Sequence, residues 1–560
     1  MAQSRWSTLT LLLAALLPAI VMAIVIARLG VDVPHWDEWS LVDVFAKAHA
    51  HQLSFADLFA QNNEHRILFP KLIFVGLVSL AGWRPRLEMF ASLALCTGSA
   101  FCLLWLLRRT VAVKTPALVA LTLLTSALLF SPAQHENWLW GYQLAIFLLV
   151  FCMFAGAAIV SSGLGTLPKF VLAAGCALVA TFSGGNGMLL WPLLLFGFLL
   201  RGEKLSAAIV VTWLLLGASA AALYLWHYEK PGSHPALAAS RNFLDYIVYI
   251  TAFAGSALGR TADNPSLYAP VAIGFALLAL FCSLGAVVVF QWRDDERRRA
   301  AAPWLSIAAF ACLSDVLACI TRIGFGRTQA LDSRYTSFSL PLVIALVPLS
   351  IIAGRTKLLR NVPAVIALLF LTTLPHGFAM MKNSSTRRAR GQLALLFINL
   401  APDKRVLEST ILPDVATLTV LANQANALRL LQPPLLVDSD IDAMTKAALA
   451  PRSTCGALTS LTAIDERSRL TAGWARHPET HRTSDGVLLT FRDADEPRKF
   501  LAVSFERFPR PPNAQPRGGK EWRITFERDR LPASPTTIEA WAFDARRLSV
   551  CKLEGATVVE

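Results

Sequence analysis

The sequence predicts an all-α polytopic membrane domain followed by a smaller soluble domain of mixed α and β structure. Three observations predict it. Hydrophobic residues make up 55% of the 560-residue chain and charged residues only 16%, a balance foreign to soluble proteins of this size. Apolar stretches long enough to enter a bilayer recur to about residue 380 and then stop. The remainder, 381–560, mixes both charge signs with clustered Pro and Gly, and is long enough for one soluble domain.

The first apolar stretch, 8–29, lacks a small-residue cleavage site and is followed by many more, so it reads as a retained helix. Others fall near 66–81, 88–107, 116–131, 139–161, 169–183, 187–200, 205–226, 268–291, 303–320, 336–353 and 362–380. If every stretch crosses from a cytoplasmic N-terminus beside Arg5, the basic loops all land outside, against the positive-inside bias. Those loops carry Arg108, Arg109 and Lys114; Arg201 and Lys204; Arg293 and Arg297 to Arg299; and Arg355, Lys357 and Arg360. If 66–81 stays at the outer interface, all of them fall inside. That stretch is short and holds Pro70 and Lys71 near its start. The domain, 1–380, then has about eleven transmembrane helices, with interfacial helices in an outer loop at 31–87.

This topology gathers the odd polar stretches on the outer side: 35–39 (His-Trp-Asp-Glu-Trp), 62–66, 134–138 (Gln-His-Glu-Asn-Trp), 183–187, 227–265 and 321–335, joined by the tail. By itself 35–39 reads equally as a solvated loop after a helix end. The convergence favours a site at the outer boundary, with Asp37 and Glu38 as its first acids. Glu64, His65, His135 and Glu136 are candidates for a second acidic site that orders an acceptor. Arg66, Lys71, Arg322, Arg327 and Arg334 run against the topological bias, and a bound anion is one reason, because guanidinium groups grip phosphate as a fork. Pairing with local acids or lipid headgroups is the other. Asp315 lies seven residues before Arg322 on the same helical face, as a structural pair or a proton site. Trp36, Trp39, Trp138, Trp140 and Tyr142 suit sugar stacking and interface anchoring equally.

The plan resembles the GT-C glycosyltransferases, the superfamily of protein O-mannosyltransferases, oligosaccharyltransferases and the lipid A aminoarabinose transferase. The likeness rests on a first span, Asp37-Glu38 in a long outer loop, an interfacial stretch at 66–81, and His135-Glu136-Asn137 between the third and fourth spans. Glu136 flanked by His and Asn departs from a plain acidic pair. Asn63-Glu64-His65-Arg66 and Ser333-Arg334-Tyr335 look like signatures of a bacterial branch. The resemblance implies a polyprenyl-phosphate-linked sugar donor, a glycan, lipid or protein acceptor, and inverting transfer at the outer face of the bacterial inner membrane, with a periplasmic tail. The donor phosphate would fall to Arg66, Arg322, Arg327, Arg334 and Tyr335. No cofactor is called for; His with carboxylates is a plausible set for a divalent cation, but no ligand spacing is diagnostic.

The residue types fit that chemistry independently. An acceptor hydroxyl needs a general base, for which Asp37 is first choice and Glu38 second. A nearby carboxylate stabilises an oxocarbenium-like state, and a leaving phosphate needs positive charge more than a proton. Nucleic-acid binding is excluded, because the basic residues are scattered among membrane loops without zinc-ligand spacing. Three rivals stay open: a lipid-linked substrate transporter or flippase, an outer-face glycan ligase or polymerase that needs no carboxylate, and a non-catalytic scaffold, in which the acids would have no obvious use.

In the tail, 391–400 and 415–431 read as helical, and 487–492, 500–505, 522–526 and 537–543 as short strands. The strands are parted by turn-rich pieces at 511–513 and 518–519, which points to a small β-rich module, sandwich-like, that binds carbohydrate or lids the site. Seven of the nine cysteines lie in apolar spans; Cys455 and Cys551 stand alone in the tail. An oxidising compartment would favour a bridge between these two, and two unrelated buried thiols are the alternative.

Overall fold

The computed structural model describes residues 2–232, 234–260, 266–291, 293–354, 356–432, 434–436, 444, 454–476, 484–492, 498–505, 520–532, 535–544 and 549–559. Contacts divide the chain into two compact units: Met1–Val31 with Asp43–Ser385, and Asp32–Val42 with Thr386–Glu560.

The first unit is helical. Its elements begin with α1 (Ala2–Leu29), α2 (Val42–His49), α3 (Phe55–Phe59), α4 (Leu68–Ala81), α5 (Pro85–Thr110) and α6 (Thr115–Leu129). Next come α7 (His135–Leu139), α8 (Leu144–Val160), α9 (Thr166–Thr181), α10 (Leu190–Leu200), α11 (Ala207–Leu225) and α12 (Phe243–Gly259). The series ends with α13 (Tyr268–Phe290), α14 (Asp295–Arg322), α15 (Thr336–Ala353), α16 (Lys357–Arg360) and α17 (Val362–Leu396). Among the described residues nine helices are long and apolar enough to cross a membrane. They correspond to α1, α5, α6 run on through α7, α8, α11, α13, α14, α15 and α17.

Two expected spans, 169–183 and 187–200, fold as shorter apolar helices, Thr166–Thr181 and Gly185–Leu200. At 1.5 Å per residue, sixteen residues reach roughly 24 Å, less than the ~30 Å hydrocarbon core. The stretch at 227–265 holds a helix where a loop was expected. Asn242 caps α12 by accepting the Leu244 N–H at 3.1 Å. Small residues then let α12 lie backbone to backbone on α13: a Cβ on Gly255 would sit 2.0 Å from the Pro270 carbonyl, and one on Gly274 1.8 Å from that of Thr251. The α4 stretch folds as a 14-residue helix whose Lys71 ammonium is buried against the carbonyls of Asp57 (3.1 Å) and Ala60 (2.8 Å).

The second unit begins with α18 (Lys404–Thr410) and α19 (Val415–Ala427). Both are capped by aspartates: Asp403 accepts from Val406 N–H at 3.2 Å, and Asp414 from Ala416 at 3.0 Å and Thr417 at 3.1 Å. Seven strands follow: β1 (Gly456–Ala463), β2 (Ser468–Ala475), β3 (Gly486–Phe491), β4 (Lys499–Ser504), β5 (Lys520–Glu527), β6 (Thr536–Asp544) and β7 (Ser549–Val559). They form one sheet in the order β4-β3-β6-β7-β1-β2-β5, and its two edges come back into contact. One core fills the curl, in which Val487, Leu489 and Phe491 of β3 face Trp522, Ile524 and Phe526 of β5 with the period of two that strands impose. β1, β2 and β7 escape the sequence reading because Thr, Ser, Gly and Ala interrupt their alternation. The turn pieces at 511–513 and 518–519 lie outside the described residues. Cys455 and Cys551 are bonded, with α-carbons 6.2 Å apart, stapling β7 to the entry of β1. Phe397, beyond α17, packs on Phe500, Phe505 and Phe543 and ties the helical part to the sheet.

Candidate functional site

The Asp37-Glu38 segment belongs to the second unit, whereas the sequence placed the whole of 31–87 with the membrane helices. Hydrogen bonds explain the grouping. His35 Nδ1 meets the Thr410 carbonyl at 2.8 Å, Trp36 N–H donates to the Ile411 carbonyl at 2.8 Å, and Gln392 Nε2 donates to the Asp32 carbonyl at 3.3 Å. The turn itself is a 3-10 helix, Trp36–Leu41. Trp36 enters it at φ 49°, a left-handed conformation costly for a bulky L-residue. Trp39 is fully buried and its indole N–H donates to the Pro34 carbonyl at 3.0 Å.

The two acids differ in setting. Glu38 is fully buried, and its Oε2 accepts the His35 backbone N–H at 3.0 Å, so it caps the turn. Asp37 keeps a partly exposed side chain. Burial, reinforced by the charge of Arg388 and then Arg387, holds the His35 imidazole well below its usual value, against the upward pull of the Thr410 carbonyl. His35 is therefore neutral near pH 7. A carbonyl oxygen only accepts, so the ring proton sits on Nδ1.

In the first unit, the two motifs that the sequence singled out around 134–138 and 333–335 are locked together. Glu136 accepts from Ser333 Oγ at 2.8 Å and from the Arg334 backbone N–H at 3.3 Å. Asn137 Nδ2 donates to the Arg334 carbonyl at 3.0 Å and to Ser337 Oγ at 2.7 Å, while Ser337 Oγ donates to Gln134 Oε1. The Arg334 guanidinium donates to Asp332 at 2.9 Å and lies 5.5 Å from the centre of the Tyr335 ring. Burial pushes the Asp332 carboxyl above its ordinary range; Arg334 pulls it back and Glu136 pushes with the burial. Arg334 is 31% exposed, yet its Nε is buried with no hydrogen-bond partner among the described residues. His135 Nδ1 lies 3.4 Å from Ser384 Oγ.

A second polar cluster in this unit surrounds Glu64. Its carboxylate pairs with Arg322 and with His234 Nδ1 at 3.1 Å, and His65 Nε2 lies 3.5 Å away. Arg322 also meets His234 at 3.2 Å, and His65 Nδ1 meets the Tyr224 hydroxyl at 3.1 Å. Arg322 thus pairs with Glu64, not with Asp315. Arg327 is 53% exposed and 3.7 Å from Asp245. Arg66, expected at a phosphate, is buried, and each guanidinium nitrogen donates to a backbone carbonyl: Tyr224 at 2.8 Å, Phe59 at 2.9 Å, and Trp226. The carbonyls at the C-terminal end of α11 need donors, and Arg66 supplies them.

Sequence reasoning missed Asp332 and His234 as partners of the arginines, and Thr410 and Ile411 as anchors of the acidic turn. Only Asp332, two residues before Arg334, left a local signal. Among the described residues no three of His, Cys, Asp and Glu group as a metal centre would require.

No protein-family model matches the chain, and no curated protein does. Among solved structures, the chain is similar to ArnT from Cupriavidus metallidurans, crystallised bound to undecaprenyl phosphate. The TM-score is 0.36 and the identity 14%, over 75% of this chain and 72% of that one.

Proposed function

We propose that this protein is an integral membrane glycosyltransferase of the GT-C type that takes a sugar from a polyprenyl-phosphate donor. The acceptor is a hydroxyl of an envelope glycan, lipid or protein, and transfer takes place at the outer face of the bacterial inner membrane, with the tail periplasmic. The observation that carries the reading is the contrast among the arginines. Arg66 and Arg322 are committed to partners within the fold, whereas Arg334 keeps a buried Nε without one among the described residues. A guanidinium in that state suits an anionic ligand, since buried donors are otherwise satisfied.

In this mechanism Asp37 takes the proton of the acceptor hydroxyl as its oxygen bonds to the anomeric carbon. The bond from that carbon to the phosphate oxygen breaks with inversion, and the polyprenyl phosphate leaves as an anion. Within the first unit, Arg334 beside the Tyr335 ring is the group suited to hold a phosphate anion. Glu38 holds the turn, and Glu136 fixes the backbone of 333–334. The test is transfer by the purified protein from a synthetic polyprenyl-phosphate sugar, paired with mass spectrometry of envelope glycans from cells with and without it. A monosaccharide lost from the glycans and transferred in vitro supports the reading. Unchanged glycans with no transfer count against it, and a lipid-linked substrate moved across vesicles without transfer would favour the transporter.

A further inference from the structure

The segment bearing the acids is held by the C-terminal unit at a place where each side satisfies a need of the other. The last carbonyls of an α-helix have no partner within it. Those of Thr410 and Ile411, at the end of α18, accept from His35 Nδ1–H and Trp36 N–H, both at 2.8 Å. In return, a bond from the His35 ring and one from the Trp36 N–H hold the chain at Trp36, whose φ of 49° is costly for a bulky L-residue. The helix end is itself seated closely: a Cβ on Gly391 of α17 would lie 2.4 Å from Thr410 Oγ1 and 2.6 Å from Ile411 Cδ1. Next along α17, Gln392 holds the Asp32 carbonyl at 3.3 Å. The route from Gly391 to the turn is short, running through the Thr410 and Ile411 side chains to their carbonyls and from there to His35 and Trp36.

We propose that His35 is a positioning residue, which couples the end of α18 to the orientation of Asp37 within the second unit. The proposal rests on the reading of Asp37 as the base. It gives the tail a task that neither carbohydrate binding nor a lid requires: without α18 the strained turn relaxes and the carboxylate leaves its line of attack. Neutral His35 keeps a single proton on Nδ1, so the ring donates to Thr410 and adds no charge beside the acids.

The test compares His35→Ala, His35→Asn and the unaltered full-length protein in detergent. Steady-state transfer is measured along with amide hydrogen exchange of the peptides covering 33–41 and 404–411. Asn carries an amide donor close to where Nδ1 sits. H35A is expected to lower kcat about 100-fold, the scale of an ångström of misplacement, with both KM values nearly unchanged. Its 33–41 and 404–411 peptides should exchange faster together, and H35N should restore most of both readouts. If H35A fails to fold, His35→Gln, which moves the donor outward by one methylene, takes its place with the same expectation. Wild-type kcat in H35A, lost kcat without faster exchange, or H35N no better than H35A would each overturn the coupling. Absence of transfer by the unaltered protein would sink the transferase reading alone, and the exchange comparison then decides the coupling.

Discussion

At the scale of single residues, burial and partners separate side chains that look equivalent in sequence. Asp37 and Glu38 are adjacent carboxylates, but Glu38 is a buried cap and Asp37 is partly exposed, which is why the proposed base is Asp37. Asp37→Asn should abolish transfer at normal expression, a loss of about 10² to 10⁴ in kcat for a missing base. Glu38→Gln should act chiefly through stability, and comparison of kcat and melting temperature in the two variants separates them. Near-wild-type turnover in both and in the double variant would remove the base from this turn. The outer arginines divide in the same way. Arg334→Ala should raise the donor KM far more than Arg360→Ala, and Arg334→Lys should rescue it only in part because the fork is lost. Arg66→Ala should instead lower the melting temperature and leave the donor KM in place, since three carbonyls lose their donor.

At the scale of elements, the polar knots decide which segments move together. The 3-10 turn at Trp36–Leu41 depends on α18, and His35 makes that dependence sensitive to pH. The folded imidazole sits below the unfolded value of 6.5, so the unfolded chain binds the proton more readily. The contribution of His35 is complete above pH 6.5 and declines as pH falls below it. The melting temperature should therefore drop between pH 7 and pH 5 more in the unaltered protein than in H35N, which has no imidazole to protonate. Equal slopes in the two would show that burial of His35 does not govern this limb. The sheet has its own staple, because the Cys455–Cys551 bond closes a loop with a sequence separation of 96. Replacing both cysteines by Ser should cost about 2–4 kcal/mol by the entropy of the unfolded loop, read by denaturant unfolding followed through the tail tryptophans.

At the scale of the whole molecule, the distribution of basic loops sets an orientation that labelling can check. Cysteines placed in 108–114 should react only with reagents that enter the cytoplasm, and those in 134–138 and the tail with impermeant ones. A cytoplasmic tail would overturn the proposed function.

Much of this molecule was legible in its sequence, for a definite reason. Bilayer crossing and strand burial leave periodic apolar records, so the helical membrane domain, the 66–81 helix and four of the seven strands were visible as runs and alternations. The cysteine pair was visible because only two lie outside the spans. Short motifs such as 35–39, 134–138 and 333–335 stood out as polar groups in apolar surroundings. What they bind to was not legible, because partners such as Glu136 and Ser333, or His35 and Thr410, are separated by 197 and 375 residues. A hydrogen bond to a backbone carbonyl leaves no mark on the identity of the residue that supplies it. For that reason only the tertiary structure decided that Arg66 caps a helix and that the acidic turn belongs to the C-terminal unit, and the long separation of Arg322 from Glu64 hid their ion pair in the same way.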